Sequence, residues 1–375
     1  MSAPEALVVG AGPAGLSAAI ALRTAGVDVL VLEQHASPPP RVCGAFINPE
    51  GAGHLDTLGV AARLAVDAAA VTEATLTWPG GGEARVPIAS GQRPGIAVPR
   101  QALERAMASR VAALGGRIRW SARVTGAEQR GSVWVLDVTS GAAHERLSAP
   151  WLVVADGRFS SLSGRRVRKA RAGWFGWNAS FSGVEQAPGT LSLHFGRRGY
   201  VGLLTFNDGR TNVCGLTICD GSAGVSWEDV LAEAVDEQPA LGRRLRPANR
   251  LDAFRGVGPL PFSRRMWAAD GLLLAGDAAA VGDPYMGEGI SRALGTGPAI
   301  TAALDRSGPR STPRLAADQY NDVWRRRYHP RLTLGTAARW LLGQPRLAPT
   351  LVAQAVSHPL LLHFVLSRAH STRRP

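Results

Sequence analysis

Lysine is almost missing from this 375-residue chain. Lys169 is the only one, so a formal net charge of +13 is carried almost entirely by arginine. Cysteine is scarce as well: Cys43, Cys214 and Cys219 are odd in number and lack metal-ligand spacing, which excludes a disulfide framework or a zinc site and fits a reducing cytoplasm. Charged residues make up 19% and aromatic residues 6%. No basic leader with a cleavage site stands before the first apolar strand, which begins at about Ala6. The longest uncharged stretch, Leu347 to Ser367, is broken by Pro349, Gln354, His358, Pro359 and His363. It reads as buried or interfacial helix rather than as a membrane span.

What is present is an ordinary globular composition: 45% hydrophobic residues, with 44 glycines and 25 prolines scattered without a period. The length suits about two structural units. Charge is uneven, because residues 306–375 hold twelve arginines against Asp318 and Asp322. That basic end offers contact with an anionic membrane surface or an acidic carrier protein. No aromatic-basic reader motif accompanies it, so nucleic acid is not an expected partner.

Residues 6–10, 27–33, 151–155 and 271–275 are apolar runs of the length of buried parallel strands, and the Ala-rich segment 13–25 between the first two is a helix. A second helix is expected over 99–114, with strands at 117–124 and 132–139. From about 174 to 219 the pattern alternates: Leu191, Leu193 and Phe195 fall on one face and Ser192 and His194 on the other, as in an antiparallel sheet covered on one side. The expected architecture is α/β. A discontinuous Rossmann-like domain (1–75, 95–172, 262–305) carries an inserted antiparallel sheet (76–94, 173–261) and is followed by a basic helical region (306–375).

The turn Gly10-Ala11-Gly12-Pro13-Ala14-Gly15 joins the first strand to its helix, and Glu33 ends the next strand. Gly10 permits the tight turn, Gly12 lets the backbone approach a pyrophosphate, and Gly15 lets helix and strand pack closely. The helix start offers free N–H groups to an anion, and Glu33 is placed to accept hydrogen bonds from an adenosine ribose.

From these residues the chain resembles the flavoproteins of the para-hydroxybenzoate hydroxylase fold, which include aromatic hydroxylases, flavin halogenases and geranylgeranyl reductases. Further segments carry the likeness in the family's order: Arg100-Gln101-Ala102-Leu103, Asp156-Gly157-Arg158, Gly276-Asp277-Ala278-Ala279 and Pro284-Tyr285-Met286-Gly287-Glu288-Gly289-Ile290. The resemblance implies a Rossmann-like FAD-binding domain. In it FAD contacts Gly10, Gly12, Pro13, Ala14, Gly15, Glu33, Gln34, Arg41, Arg100, Val124, Asp156, Gly276, Asp277, Pro284, Gly287, Gly289 and Ile290. Asp277, which follows a buried strand, reads alternatively as a helix cap. With a single dinucleotide fingerprint, NAD(P)H enters as a transient reductant.

Two chemistries remain open, and oxygenation is narrowly favoured: an NAD(P)H-driven monooxygenase hydroxylating an apolar or aromatic secondary metabolite through a flavin hydroperoxide. The alternative is a geranylgeranyl reductase-like ene-reductase, towards which Gly-Glu-Gly-Ile at 287–290 leans. A non-catalytic lipid or prenyl carrier with the same fold is a third reading. Halogenation is disfavoured by the missing Trp-x-Trp-x-Ile-Pro run. Cys43, in Arg41-Val42-Cys43-Gly44, is either a proton donor or a small buried residue. His194 and Tyr200 are the acid–base candidates of the inserted sheet. Its inward face is expected to include Trp177, Phe181, Phe206 and Cys214 as well, each of them either core or substrate contact.

Overall fold

The computed structural model describes residues 3–88, 93–162, 172–220, 224–264, 271–307, 312–342, 344 and 346–357. Lys169, and residues 358–367 of the uncharged stretch, lie outside them. Five strands form a parallel sheet: β1 (Ala6–Val9), β2 (Val29–Leu32), β3 (Arg117–Arg119), β4 (Trp151–Val154) and β5 (Leu272–Leu274). Their spatial order is β5-β4-β1-β2-β3. Both faces of β1 and β2 are covered, which is why these runs are continuously apolar rather than alternating. Helix α1 (Pro13–Thr24) lies on the sheet with ten consecutive residues buried, the alanines among them bringing its axis close. Helices α2 (Pro49–Thr57) and α3 (Arg100–Ala113) follow.

The segment expected as one strand over 117–124 is divided between two sheets. Arg117–Arg119 pairs in parallel with β2, whereas Arg123–Arg130 opens a three-stranded antiparallel sheet. Ser121 between them has φ +56°, a left-handed turn that apolar patterning does not disclose.

An eight-stranded sheet draws Glu73–Thr77 and Glu83–Pro87 together with the strands between Gly173 and Val257. Thr190–Gly196 joins the two sets, pairing in parallel with Glu73–Thr77 and antiparallel with Gly199–Thr205. One face is covered by α4 (Trp227–Glu237) and α5 (Pro239–Leu245), where Val230 and Leu241 pack against Trp177, Val201, Leu203 and Val213. The opposite face is covered too. The expectation of one covered side fails because these two helices, the first amphipathic and capped by Ser226, escaped the strand pattern around them.

The chain closes with α6 (Gly289–Leu294), α7 (Thr296–Ser307), α8 (Pro313–Leu342) and α9 (Ala348–Ser357). The Ser17 hydroxyl of α1 donates to the Leu294 carbonyl (2.6 Å) and accepts from the Gly297 amide (2.9 Å), locking α1 to the joint between α6 and α7. The Tyr320 hydroxyl donates to Leu274 O of β5 (2.9 Å), so α8 is part of the core and not an appended tail. Among the described residues no helix is long and apolar enough to cross a membrane.

Candidate functional site

The ends of β1, β2, β4 and β5 meet at one edge of the parallel sheet, around the start of α1. Gly10 turns with φ +101°, and a β-carbon there would lie 2.5 Å from Ala155 O at the end of β4. A β-carbon on Gly15 would collide with Gly10 O, which is the close helix–strand approach expected of that glycine. Gly12 faces open ground: the nearest atoms to its missing β-carbon are Arg100 Nη2 at 3.7 Å and Glu104 Oε1 at 4.0 Å. Pro13 occupies the first turn of α1, no side chain caps that terminus, and its N–H groups remain available to an anion.

Glu33 is buried and accepts from the Ala11 amide (2.8 Å) and the His35 amide (3.0 Å). Burial alone would raise its carboxyl, but the Ala11 and His35 hydrogen bonds hold it below the ordinary glutamate value. The acid therefore braces the glycine turn at the same time as it ends β2. Gln34, beside it, is exposed.

Across the turn, Arg100 opens α3, with Nε 2.7 Å from Glu104 Oε1; against the effect of burial, Glu104 and the nearby Cys43 raise its pKa. On the β5 side, Gly276 packs against α1, since its β-carbon would lie 2.7 Å from Ala14 Cβ. Asp277 makes no capping hydrogen bond; Arg292 Nη2 at 3.1 Å and Arg158 Nε at 3.5 Å hold it, which answers the cap alternative. Asp156 is exposed at the head of the Asp-Gly turn. Pro284 starts a short 3-10 turn that ends at Gly287 with φ +61°, and α6 begins at Gly289 with Ile290 buried beneath it. Among the described residues no atom comes within 4 Å of a β-carbon placed on Gly289. The cleft thus runs from Glu33 past Gly12, Arg100 and Asp277 to the Gly287 turn. Bare backbone, open space and an uncapped helix start suit a dinucleotide cofactor, and these residues fit FAD. Arg41 is exposed, and Val124 is half-buried against the core of the parallel sheet.

The eight-stranded sheet sorts the remaining candidates by face. Register places Tyr200, Gly202, Cys214 and Leu216 on the side of the cleft, and Trp177, Phe181, His194 and Val201 on the side of α4 and α5. His194 is thereby corrected as an acid–base candidate. Its Nδ1 lies 2.7 Å from Thr77 Oγ1, and burial with Arg244 nearby pushes its pKa down to about 3. The cavity next to it, about 30 Å³, has room for a water molecule or two and not for a substrate. Trp177 and Phe181 are core on that same far side, whereas Phe206 packs with Ala45, Val71 and Ala97.

Cys43 stands where the two sheets meet. Its Sγ accepts from the Ala45 amide (3.3 Å), and Ala45 takes the left-handed φ of +60°. Asn212 Nδ2 donates to Cys43 O (3.0 Å) and is itself oriented by Asn178, whose Nδ2 donates to Asn212 Oδ1 (3.0 Å). A β-carbon on Gly44 would be 3.8 Å from Cys214 Sγ. Burial, with Cys43 nearby, raises the Cys214 thiol to about 12, and burial raises the Tyr200 hydroxyl well above its ordinary value. Both are neutral at physiological pH. Beyond them an aromatic cluster fills the face: Tyr285 meets Tyr200 edge-on (4.9 Å between centroids) and Phe195 stacked (6.0 Å), with Trp174 at 6.3 Å.

Sequence reasoning missed the arginines of α8 as partners of this region. Arg327 and Arg331 close on Glu50 of α2 at 2.6 and 2.5 Å, and Arg339 reaches Asp283 (3.1 Å) while stacking on Trp174 and Phe262. A region that reads as a solvated basic surface contributes buried ion pairs instead. No local signal reveals pairs separated by some 280 positions.

The chain matches the family described as FAD binding domain over residues 4–205. It is 28% identical over 334 residues to a menaquinone reductase of Mycobacterium tuberculosis H37Rv, covering 84% of this chain and 80% of that protein. It is 25% identical over 335 residues to digeranylgeranylglycerophospholipid reductase 2 of Methanopyrus kandleri, covering 85% and 82%. Among solved structures, a flavin-dependent brominase superposes with TM-score 0.84 at 18% identity over 99% of this chain and 94% of that one, a likeness of fold.

Proposed function

This chain belongs to the FAD binding domain family, with the para-hydroxybenzoate hydroxylase fold, and on the premise that it is an FAD-dependent oxidoreductase we propose that it reduces a carbon–carbon double bond in an apolar, isoprenoid-like substrate. The observation that carries this reading is the place of Cys43, a thiol that lies between Arg100 of the cofactor cleft and Cys214 on the substrate-facing sheet, with its Sγ held by the Ala45 amide. Two relatives, named as reductases of menaquinone and of a digeranylgeranyl lipid, support it.

Bound FAD supplies the hydride. The chain's own groups do the rest. Gly10, Gly12, Gly15 and the start of α1 hold the pyrophosphate, with Glu33 at the ribose and Asp277, fixed by Arg292 and Arg158, along the ribityl chain. The Gly287–Gly289 backbone would lie beside the bound ring and would offer donors where reduction accumulates negative charge. Cys43 Sγ–H delivers the proton to the second alkene carbon, oriented by Arg100 and by the Ala45 amide. Trp174, Phe195, Tyr200 and Tyr285 keep water from an apolar chain. NAD(P)H serves as the transient electron donor.

The test is anaerobic turnover of FAD-loaded protein with NADPH or NADH and a prenylated quinone. A product that stays heavier by two hydrogens after any quinol is reoxidised in air, formed without O2 during turnover and slowed in Cys43→Ala, is expected. A product formed only in air and labelled from 18O2 would replace this reading with oxygenation, which the same fold and cofactor also serve.

A further inference from the structure

Behind the Gly287–Gly289 turn lies a buried charge cluster whose two carboxylates, Glu50 and Glu288, are not among the residues assigned to the cofactor. Glu288, between the two glycines, is 6% exposed, and its Oε1 accepts no hydrogen bond among the described residues. The nearest cation, Arg331 Nη1, stands 3.8 Å from that oxygen, whereas the same nitrogen lies 2.5 Å from Glu50 Oε2. Two carboxylates therefore compete for one buried guanidinium, and Glu50 wins because Arg327 adds a second close bond at 2.6 Å. The charged groups that act on Glu288 are Arg331 of α8, Arg292 of α6 and Glu50 of α2, while His54, Arg327 and Tyr328 gather around Glu50. Arg292 directs Nη2 to Asp277, and burial with Arg327 alongside pushes His54 down to about 4, leaving it neutral. Glu288 is the member of the cluster whose charge is least compensated.

We propose that Glu288 is a redox-linked proton site, taking one proton from solvent when the flavin in front of its own backbone turn is reduced. The inference rests on FAD occupying the cleft. Electrons arriving on a ring seated at this turn would add negative charge beside the buried carboxylate that the turn carries. Low polarizability makes that repulsion strong, and protonating the carboxylate removes it. The balance is this: the donor supplies two electrons to the flavin, the one proton the flavin takes up leaves a net negative charge, and a further proton passes from an acid in bulk solvent to a Glu288 oxygen, that acid's O–H bond breaking as the carboxyl O–H forms. Burial, reinforced by Glu50, already brings this carboxyl up to about 7 against the pull of Arg331 and Arg292, so a modest added charge completes its protonation.

The experiment is reduced-minus-oxidised infrared difference spectroscopy of the FAD-loaded protein at pH 7.5, with dithionite as reductant, in H2O and D2O. A protonated-carboxyl C=O band that grows on reduction, shifts in D2O and is lost in Glu288→Gln is expected, together with a smaller proton uptake per flavin in that variant by indicator dye. Reduction of bound FAD in the wild type without such a band overturns the proposal and leaves the functional reading intact, whether or not the variant folds. Protein that takes up no FAD overturns both.

Discussion

Gly15 of α1 stands so near Gly10 of the preceding turn that the Gly10 carbonyl oxygen occupies the place a Gly15 side chain would need. The helix is pressed onto the strand at this point, which aims its first N–H groups past Gly12. The two glycines of one motif therefore fail differently. Gly15→Ala is expected to destabilise the apoprotein by about 1–3 kcal/mol, because backbone must move to admit the methyl group. Gly12→Val, whose neighbours are the flexible ends of Arg100 and Glu104, keeps its melting temperature and loses FAD. Thermal unfolding of the apoproteins together with FAD titration separates the two; equal loss of stability would remove the distinction.

Asp277 is the anion between Arg292, whose side chain is 5% exposed, and Arg158. Asp277→Ala leaves a buried guanidinium with its partner gone, at a cost of a few kcal/mol. It also takes the acid from the cofactor cleft. FAD affinity falls in both Asp277→Ala and Asp277→Asn, but the asparagine, which still accepts from Arg292, recovers most of the stability. Denaturant midpoints beside FAD dissociation constants test this pair.

Glu50 receives Arg327 and Arg331 together, and both arginines come from α8. Glu50→Ala leaves two buried cations facing each other and is expected to cost about 3–5 kcal/mol in urea unfolding, far beyond the loss of an exposed pair such as Asp322 with Arg326. A loss below 1 kcal/mol would mean that α8 is held by its apolar contacts alone.

Acid should destabilise the apoprotein through its buried histidines. His194 and His54 ionise near 3 and 4 in the folded chain, against about 6.5 when unfolded. Between roughly pH 6.5 and 4 the unfolded state binds protons that the folded state refuses, so stability is full above 6.5 and falls as pH drops through this window. His194→Gln, which can still bond the Thr77 hydroxyl, is expected to flatten the fall without moving FAD affinity. Urea midpoints measured from pH 4.5 to 8 check it; an unchanged slope counts against His194 as the source.

Much of the cleft was legible because its parts are local. A glycine turn, the acid ending β2 and an Asp after an apolar strand each sit within a few residues of the strand end that positions them. The fold class was legible for the same reason, since doubly covered strands such as Val29–Leu32 write continuous apolar runs. What stayed hidden depends on register and distance. Alternation places Ser192 and His194 opposite Leu193, but only pairing with Gly199–Thr205 and Glu73–Thr77 decides which face looks to the cleft. The polar pair proves deeply buried, Ser192 at 0% and His194 at 1%, because α4 and α5 cover it. The turn at Ser121, the Asn178–Asn212 pair beneath Cys43 and the arginines of α8 are invisible to any local window.

The spatial order β5-β4-β1-β2-β3 carries a consequence for synthesis. While the chain leaves the ribosome, its first βαβ unit can form at once, yet its neighbour β4 arrives more than a hundred residues later and β5 later still. The ring end of the cleft waits for Gly287, and the guanidinium that steadies Glu50 waits for Arg331. Cofactor capture is thus expected late in the life of the nascent chain, and a polypeptide stalled before about residue 289 would present the pyrophosphate cradle with no seat for the isoalloxazine.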